Sequence, residues 1–288
     1  MIPVRKFHSY GNDFIVVESH WLPTGEYGEF SKAICTPHFG VGADGCVILE
    51  KVSSQEFRLR IFNRDGSEAG MSGNGARCAA ACVHQSNSAE SGEVIFQTIS
   101  GEKTYRLLKS IPPVWQYVSS LGLPSFEPED IPIELSQGHR TSVNWELTAA
   151  NRKLSVFPVS VGNPQCVVFV DQLPESPDFE EMGRELECHS FFPERTNVSF
   201  VQVLGERRIA IKIWERGVGP THSSGTGSSG AGIAAIHSGI VSSPVQVSTE
   251  TGTQLVEWAP SGQVLLTGEA RFVAEISFYW EGRQDVEG

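Results

Sequence analysis

Short runs of β-branched and aromatic residues dominate the first half of the chain. Four of these runs, at 14–17, 46–49, 57–62 and 94–98, are bounded by Gly, Asn, Asp or Ser and predict β-strands. Before the fourth run lies the Ala-rich segment ARCAAACVH at 76–84, which is apolar on all sides. A segment without a polar face predicts a short, wholly buried helix.

The second half of the chain repeats this order of elements. Its predicted strands lie at 159–161, 167–170, 198–203 and 209–214. The segment AGIAAI at 231–236 is the matching candidate for a buried helix. A last strand pattern at 272–279 follows a Gly-containing turn and could return to either half.

The segment 110–133 between the halves contains five prolines. Because proline has no backbone N–H and a fixed φ, a regular element across the whole segment is improbable. At about 100–200 residues per domain, a chain of 288 residues predicts two domains. The proline-rich segment is therefore the best candidate for the boundary between them.

Three polar features recur in the second half at an almost constant offset of 151 or 152 positions. The pairs are Asn12 with Asn163, Asn63 with Glu215, and Ser72 with Ser224. A repeated order at a fixed offset predicts two similar domains in tandem. Chance coincidence is the alternative.

Each half carries the sequence Ser-Gly-x-Gly, beginning at Ser72 and at Ser224, shortly before its buried helix. Glycines there let successive backbone N–H groups point into one concavity at the helix N-terminus. Together with the helix dipole, this arrangement favours an anion such as a carboxylate or phosphate. The alternative is that both segments are only tight strand-to-helix turns.

Composition removes several classes of partner. With 22 basic and 34 acidic side chains the net charge is −12, which argues against nucleic acid or an anionic membrane. No apolar run approaches the roughly 18 residues needed to span a bilayer. The N-terminal segment MIPVRKFHSYGNDF lacks a signal-peptide pattern, so the six cysteines are expected to be reduced in a cytoplasm.

Other enzyme motifs are absent or weak. The sequence contains no G-x-S-x-G nucleophile elbow, no P-loop and no H-E-x-x-H zinc motif. GTGSSG at 225–230, with Glu250 20 residues after its last glycine, fits a dinucleotide fingerprint. The fit is weak because the preceding strand pattern ends near Trp214, whereas the first glycine should follow a strand directly.

Several ordered motifs carry a family resemblance over nearly the whole chain. They are GNDF (11–14), GADG (42–45), NRDGSEA (63–69), SGNGARC (72–78), GNP (162–164), ERTNV (194–198), ERGVG (215–219), GTG (225–227) and TG (267–268). In this order they resemble diaminopimelate epimerase. The resemblance is specific, and it implies a place in amino-acid metabolism and lysine biosynthesis.

The resemblance implies an α+β fold. It implies two pseudo-symmetric domains, each a mixed β-sheet wrapped around a central helix, with the ligand in the cleft between them. The C-terminal strand is expected to pack back onto the first domain, so the domains are expected at 1–115 with 272–288, and at 116–271. The resemblance also implies a possible homodimer.

The family inverts the α-carbon of an amino acid without a cofactor, using two cysteines on opposite faces of the substrate. By the resemblance these thiols belong at Ser72 and Ser224, and a histidine that assists one of them belongs at Gln165. The assistant of the other is retained as Glu215. A serine hydroxyl is a far weaker acid than a thiol, so the two-thiol mechanism is not available to this chain.

The resemblance also supplies the substrate-binding residues. The side chains expected to bind the polar ends of the substrate are those of Asn12, Asn63, Asn163, Asn197 and Arg216. The N–H groups expected to hold the α-carboxylate belong to Gly73, Asn74, Gly225 and Thr226. Gly45 stands where many relatives have glutamine and Pro220 where glutamate is usual, so the lip of the site is expected to differ.

Three hypotheses follow. The first is a cofactor-independent isomerase acting at the α-carbon of a diaminopimelate-like amino acid, with Ser72 and Ser224 at the proton-transfer positions. A one-sided proton transfer, tautomerisation or dehydration needs only one base, and Glu215 is the candidate. The second is a non-catalytic amino-acid-binding protein. The third is an epimerase inactivated by Cys-to-Ser replacement, against which Gln165 counts, because inactivation needs no third change.

Overall fold

A mixed β-sheet with few helices forms the scaffold. The computed structural model describes residues 1–86, 92–134, 144–260 and 262–282. Residues 87–91 and 283–288 of the first predicted domain, and 135–143 and 261 of the second, lie outside the described residues. The described chain contains 17 strands, four α-helices and one short 3-10 helix. None of the described helices has the length and apolar character of a membrane span.

The elements of the first half are β1 (Ile2–Ser9), β2 (Asn12–Glu18), α1 (Tyr27–Cys35), β3 (Gly45–Lys51), β4 (Glu56–Asn63), β5 (Glu68–Ala69), α2 (Gly73–Gln85), β6 (Glu93–Thr98), β7 (Gly101–Ile111) and β8 (Val114–Ser120). Those of the second half are β9 (Trp145–Ala149), β10 (Arg152–Ser160), β11 (Pro164–Val170), α3 (Asp178–Glu187), β12 (Asn197–Gly205), β13 (Arg208–Glu215), β14 (Gly219–Thr221), α4 (Gly225–His237), β15 (Val245–Thr249), β16 (Gly252–Glu257) and β17 (Leu265–Phe278).

The chain divides into two compact units. Unit 1 comprises Met1–Ser119 with Gly268–Gly288, and unit 2 comprises Ser120–Thr267. In unit 1, β2 and β3 are parallel, β3 and β4 are antiparallel, and β4 and β6 are again parallel. In unit 2, β11 with β12, β12 with β13, and β13 with β15 repeat these three relations.

A buried helix lies against the sheet in each unit. Helix α2 contacts β1, β2, β3 and β6, and helix α4 contacts β10 to β13, β15 and β16. Both helices are rich in Ala and Gly, and small side chains let strands approach on several sides. This packing explains why their sequences lack a polar face.

The strands beside these helices are buried on both faces. In β2, Val16 packs with the α2 core, whereas Ile15 and Val17 pack with α1. In β11, Val167 packs with the α4 core, whereas Val168 packs with α3. A strand that is covered on both faces has a continuous apolar sequence, which is why these runs were conspicuous.

The order of elements repeats from one unit to the next. The series β1, β2, α1, β3, β4, β5, α2, β6, β7, β8 corresponds to β10, β11, α3, β12, β13, β14, α4, β15, β16, β17. The register repeats as well, since Phe14 pairs with Gly45 and Gln165 pairs with Asn197. The offset of 151 or 152 positions therefore extends well beyond the three features seen in the sequence.

The sequence-based predictions placed many of the strands beside the buried helices and missed others, among them β1, β15 and β16. Every predicted strand overlaps an observed one, although residues 161 and 279 lie outside their strands. Both buried helices begin earlier than predicted, at Gly73 and Gly225. As expected, no single regular element spans 110–133, although β8 occupies Val114–Ser120 within it. The prolines at 112 and 113 form the turn between β7 and β8, and β8 follows them directly.

Candidate functional site

Ser72 and Ser224 occupy the same structural position in the two units. Each is the N-cap of its buried helix, with φ and ψ of −138° and 116° at Ser72 and −140° and 127° at Ser224. The Ser72 Oγ accepts a hydrogen bond from the Gly75 N–H at 3.1 Å, and the Ser224 Oγ accepts one from the Gly227 N–H at 3.2 Å. The cap bond holds each hydroxyl at the opening of its helix.

Two backbone donors remain free beside each serine. Among the described residues, the N–H groups of Gly73 and Asn74 in unit 1, and of Gly225 and Thr226 in unit 2, have no acceptor. Helices α2 and α4 have no acidic residue in the first turn, whereas α1 and α3 do. The positive end of each buried helix is therefore left uncompensated, as an anion-binding N-terminus requires.

The predicted residues of unit 1 form what we call the Ser72 half-site, which comprises Asn12, Asn63, Ser72, Gly73 and Asn74. The Asn74 Nδ2 donates to the Asn12 Oδ1 at 3.2 Å, and the Asn12 Nδ2 donates to Asp44 at 2.8 Å. Asn63 is exposed and donates to the Ser67 hydroxyl instead. The structure thus joins Asn12 to Asn74 and leaves Asn63 outside this network.

The predicted residues of unit 2 form the Ser224 half-site, which comprises Asn163, Gln165, Asn197, Glu215, Arg216, Ser224, Gly225 and Thr226. Four of them form one chain. The Gln165 Nε2 donates to Asn163 at 2.8 Å, the Asn163 Nδ2 donates to the Thr226 Oγ1 at 3.4 Å, and that oxygen lies 3.3 Å from the Ser224 Oγ. When Thr226 is the donor of the last bond, the Ser224 Oγ accepts two hydrogen bonds and its own proton is free for a ligand.

Glu215 is the ionisable residue of the Ser224 half-site. It ends β13, is half-buried, and its carboxylate has no hydrogen-bond or ion-pair partner among the described residues. Burial raises the pKa of this carboxyl above its ordinary value. Its counterpart in unit 1 is the amide Asn63, so only the Ser224 half-site has a carboxyl with a raised pKa at this position.

The loop after Glu215 is held by side chains from neighbouring elements. The Asn197 Oδ1 accepts from the Arg216 N–H at 3.0 Å, while its Nδ2 donates to the Pro164 carbonyl at 2.9 Å. The Arg216 guanidinium is exposed and donates one bond, at 3.1 Å, to the Glu194 carbonyl. Asn197 therefore fixes the loop, and Arg216 keeps further donors toward solvent.

A buried glutamate missed in the sequence supports the same loop. The Glu187 Oε2 accepts from the Trp214 indole at 2.6 Å, and its Oε1 accepts from the Gly217 N–H at 2.9 Å. Glu187 ends an amphipathic helix rich in acidic residues, so its position in the sequence gave no sign of burial. Its role depends on the approach of α3 to β13.

Gly45, at which the lip of the site was expected to differ, is buried. A Cβ at this position would lie 2.8 Å from the Phe62 carbonyl oxygen and 2.9 Å from the Phe14 ring. Phe14 therefore occupies the space into which a larger side chain would extend. Pro220 is exposed on the short strand β14.

No cysteine lies at either helix opening. Five of the six are buried, and burial raises the pKa of Cys82 to about 11 and of Cys35 to about 12. Thiols of this kind are protonated near neutrality. The sixth, Cys188, is exposed and caps the C-terminus of α3. Among the described residues, no three His, Cys, Asp or Glu side chains are grouped for a metal ion.

Comparison with known proteins identifies the family. The family model of diaminopimelate epimerase matches residues 4–111 and 157–273. The chain belongs to the diaminopimelate epimerase family. Diaminopimelate epimerase of Halothermothrix orenii is 35% identical over 270 residues, covering 93% of this chain and 94% of that protein. That of Pelotomaculum thermopropionicum is 36% identical over 270 residues, covering 93% and 95%.

Solved structures show that the fold is shared more widely than the family's sequences. A predicted epimerase from Pseudomonas aeruginosa matches with a TM-score of 0.67 at 15% identity, covering 96% of this chain and 98% of that one. A hydroxyproline epimerase from Agrobacterium vitis gives 0.63 at 15% identity, covering 96% and 91%, and a methylitaconate Δ-isomerase gives 0.63 at 13% identity, covering 96% and 95%. The mixed sheet and the epimerase family implied by the sequence motifs are both confirmed.

Proposed function

We propose that this member of the diaminopimelate epimerase family is a cofactor-independent isomerase that moves a proton at the α-carbon of a diaminopimelate-like amino acid from one side only. The observation that carries the proposal is Glu215, a half-buried carboxyl with a raised pKa and no partner among the described residues. A base whose pKa is shifted toward the working pH is the better proton acceptor there.

Substrate binding uses the groups that the structure leaves free. In each unit the N–H groups at the opening of the buried helix are placed to bind a carboxylate, and the helix dipole favours its charge. The exposed guanidinium of Arg216 offers a planar pair of donors to a second carboxylate. Asn12 and Asn163 contribute amides that are already oriented by their own hydrogen bonds.

In the proton transfer, the Glu215 carboxylate takes the α-proton. The electron pair of the broken C–H bond passes toward the α-carboxylate, where the free N–H groups stabilise the developing negative charge. Ser224, which caps α4 within the chain from Gln165, offers its hydroxyl proton as a hydrogen bond and not as an acid. Neither serine ionises near neutrality without a strong activator.

The Ser72 half-site lacks an equivalent base. Its serine is only a helix cap, and the position corresponding to Glu215 is occupied by the amide of Asn63. Inversion needs a proton donor on the opposite face. The proton therefore returns either to another atom of the substrate, which isomerises it, or to the same face, which is observed only as exchange with solvent.

Binding without catalysis is the second candidate function. It is supported by the contrast between free recognition groups at both helix openings and the absence of a thiol at either one. Gln165 also cannot accept a proton, and its amide is already bonded to Asn163. In this case the protein would bind an amino acid and leave its α-proton in place.

Proton exchange in heavy water separates the two candidates. The protein is incubated with L,L-diaminopimelate and with other amino acids, and the α-proton signal is followed by NMR. We expect the signal to decay, and Glu215→Gln to slow the decay by about 10²- to 10⁴-fold. Glu206→Gln, at an exposed glutamate in the turn before β13, is the matched control. A stable signal together with measurable binding would favour the binding protein.

A further inference from the structure

Arg77 is a fully buried cation in the second turn of α2. Arg77 is 1% exposed. The Nη1 donates to the Ser9 hydroxyl at 2.7 Å and to the Asn74 Oδ1 at 3.0 Å. The guanidinium packs on the backbone of Gly268, where a Cβ would lie 2.9 Å from the Cζ. A side chain at position 268 would push the guanidinium out of this place.

In the described part of the chain, no carboxylate lies within ion-pair distance of the buried Arg77 guanidinium. Its Nε and Nη2 are buried without an acceptor there. Lys212 of unit 2 provides the contrast, because this half-buried cation lies 2.9 Å from Glu175 and 4.0 Å from Glu250. An isolated buried charge is unfavourable, and a cation near a helix N-terminus is more so.

Arg77 acts on the helix opening through Asn74. The Asn74 Oδ1 accepts from Arg77, and its Nδ2 then donates to the Asn12 Oδ1. The orientation of both amides is thereby set from within the core. At the corresponding position of α4 stands Ser229, a buried hydroxyl, so only the Ser72 half-site has this charge.

We infer that Arg77 is a positioning residue for an anionic ligand. Its charge draws a carboxylate to the free N–H groups of Gly73 and Asn74, and its Nη1 fixes the amides that meet the ligand. The inference rests on the proposed function, and it adds that the Ser72 half-site selects a carboxylate by means of a buried counter-charge. The bound anion supplies the charge that the empty protein lacks.

Thermal unfolding with and without anions tests this role. The probes are sulfate and L,L-diaminopimelate, and the variants are Arg77→Met, Arg77→Lys and, as a control at a paired cation, Lys212→Met. We expect Arg77→Met to match or exceed the wild-type midpoint without ligand, because an unpaired charge has been removed. The concentration of either probe that gives half the maximal shift should rise by about tenfold to a hundredfold.

Arg77→Lys separates charge from geometry and is informative even where Arg77→Met fails to fold. It should keep a response to sulfate but bind L,L-diaminopimelate more weakly, since lysine lacks the planar fork that holds Asn74. Lys212→Met should respond to both probes as the wild type does. A normal response of Arg77→Met to both probes, or unchanged diaminopimelate affinity in Arg77→Lys, would overturn the inference.

The two proposals fail in different ways. If sulfate stabilises the wild type through Arg77 but no amino acid binds, the proposed function fails and the positioning role stands. If L,L-diaminopimelate binds equally well to the wild type and to Arg77→Met, the positioning role fails and the proposed function stands.

Discussion

The two half-sites share a backbone and differ in chemistry. Ser72 and Ser224 cap their helices with hydrogen bonds of 3.1 and 3.2 Å and with nearly the same φ. At the ends of β4 and β13, however, unit 1 has the exposed amide Asn63 and unit 2 has the half-buried carboxyl Glu215. The two units thus share the backbone of the helix opening. They differ in the side chain at these strand ends, since only the carboxyl of Glu215 can accept a proton.

A second difference explains why a chain of polar side chains reaches the capping serine in unit 2 and not in unit 1. Phe14 and Gln165 occupy corresponding positions in the parallel strand pairs. The Phe14 ring fills the space beside Gly45 and Gly75, where a Cβ would meet it at 2.9 and 3.1 Å. Gln165 is 1% exposed and donates to Asn163, which continues the chain toward Ser224. The apolar ring of Phe14 in unit 1 therefore stands where unit 2 has Gln165, the first member of its polar chain.

The largest expected effect is the recovery of inversion when both sides are given thiols. The triple variant Ser72→Cys, Ser224→Cys, Gln165→His should epimerise L,L-diaminopimelate. It supplies one thiol at each helix opening, so that one thiolate can accept the α-proton and the other thiol can donate a proton. The product ratio is measured by chiral chromatography. The double cysteine variant, which keeps Gln165, should be slower, and a triple variant that binds substrate without inverting it would contradict this expectation.

Removing either capping hydroxyl should lower the stability by a similar amount. The two removals should differ in their effect on α-proton exchange. Ser72→Ala and Ser224→Ala each delete an N-cap, which should lower the free energy of unfolding by about 0.5–2 kcal/mol in urea titrations. Only Ser224→Ala interrupts the chain from Gln165, so α-proton exchange should fall mainly in that variant. Equal loss of exchange in both variants would show that the half-sites contribute equally.

A smaller effect concerns stability and pH. Because burial raises the pKa of folded Glu215, its ionisation is less favourable folded than unfolded. The carboxyl therefore favours folding most at pH values below its unfolded pKa, and that contribution is lost as the pH rises through the folded pKa. Glu215→Gln removes the ionisation, so its unfolding free energy relative to the wild type should increase from about pH 4 toward pH 7.

The control for the pH series is Glu206→Gln, at the exposed glutamate in the turn before β13. Urea titrations at several pH values give the difference between each variant and the wild type. The raised pKa at Glu215 would be contradicted if the control showed the same pH-dependent difference in unfolding free energy. It would also be contradicted if the stability of Glu215→Gln relative to the wild type decreased toward neutrality.

Much of the frame was predictable from sequence, because strands buried on both faces and Ala-rich helices give strong patterns. The surface helices α1 and α3 were missed because short amphipathic segments such as YGEFSKAIC resemble loops in composition. The late hairpin of β15 and β16 was missed for a related reason, since its strands are short and half polar.

The positions of the site residues were predictable from the sequence, whereas the hydrogen bonds that connect them were not. The constant offset and the Ser-Gly-x-Gly repeat placed Ser72 and Ser224 at helix openings. The bond from Gln165 to Asn163, the burial of Arg77 without a described ion-pair partner and the exposure of Asn63 depend on how distant segments pack. Such contacts leave no local pattern in the sequence.

The stereochemistry of the exchanged substrate tests the central claim most directly. L,L-diaminopimelate is incubated with the wild-type protein in heavy water, recovered, and analysed for deuterium at the α-carbon and for configuration. One-sided transfer through Glu215 predicts deuterium at the α-carbon with the L,L configuration retained. Formation of the meso isomer by the wild-type protein would contradict the account, because inversion requires a second proton donor that the Ser72 half-site does not contain.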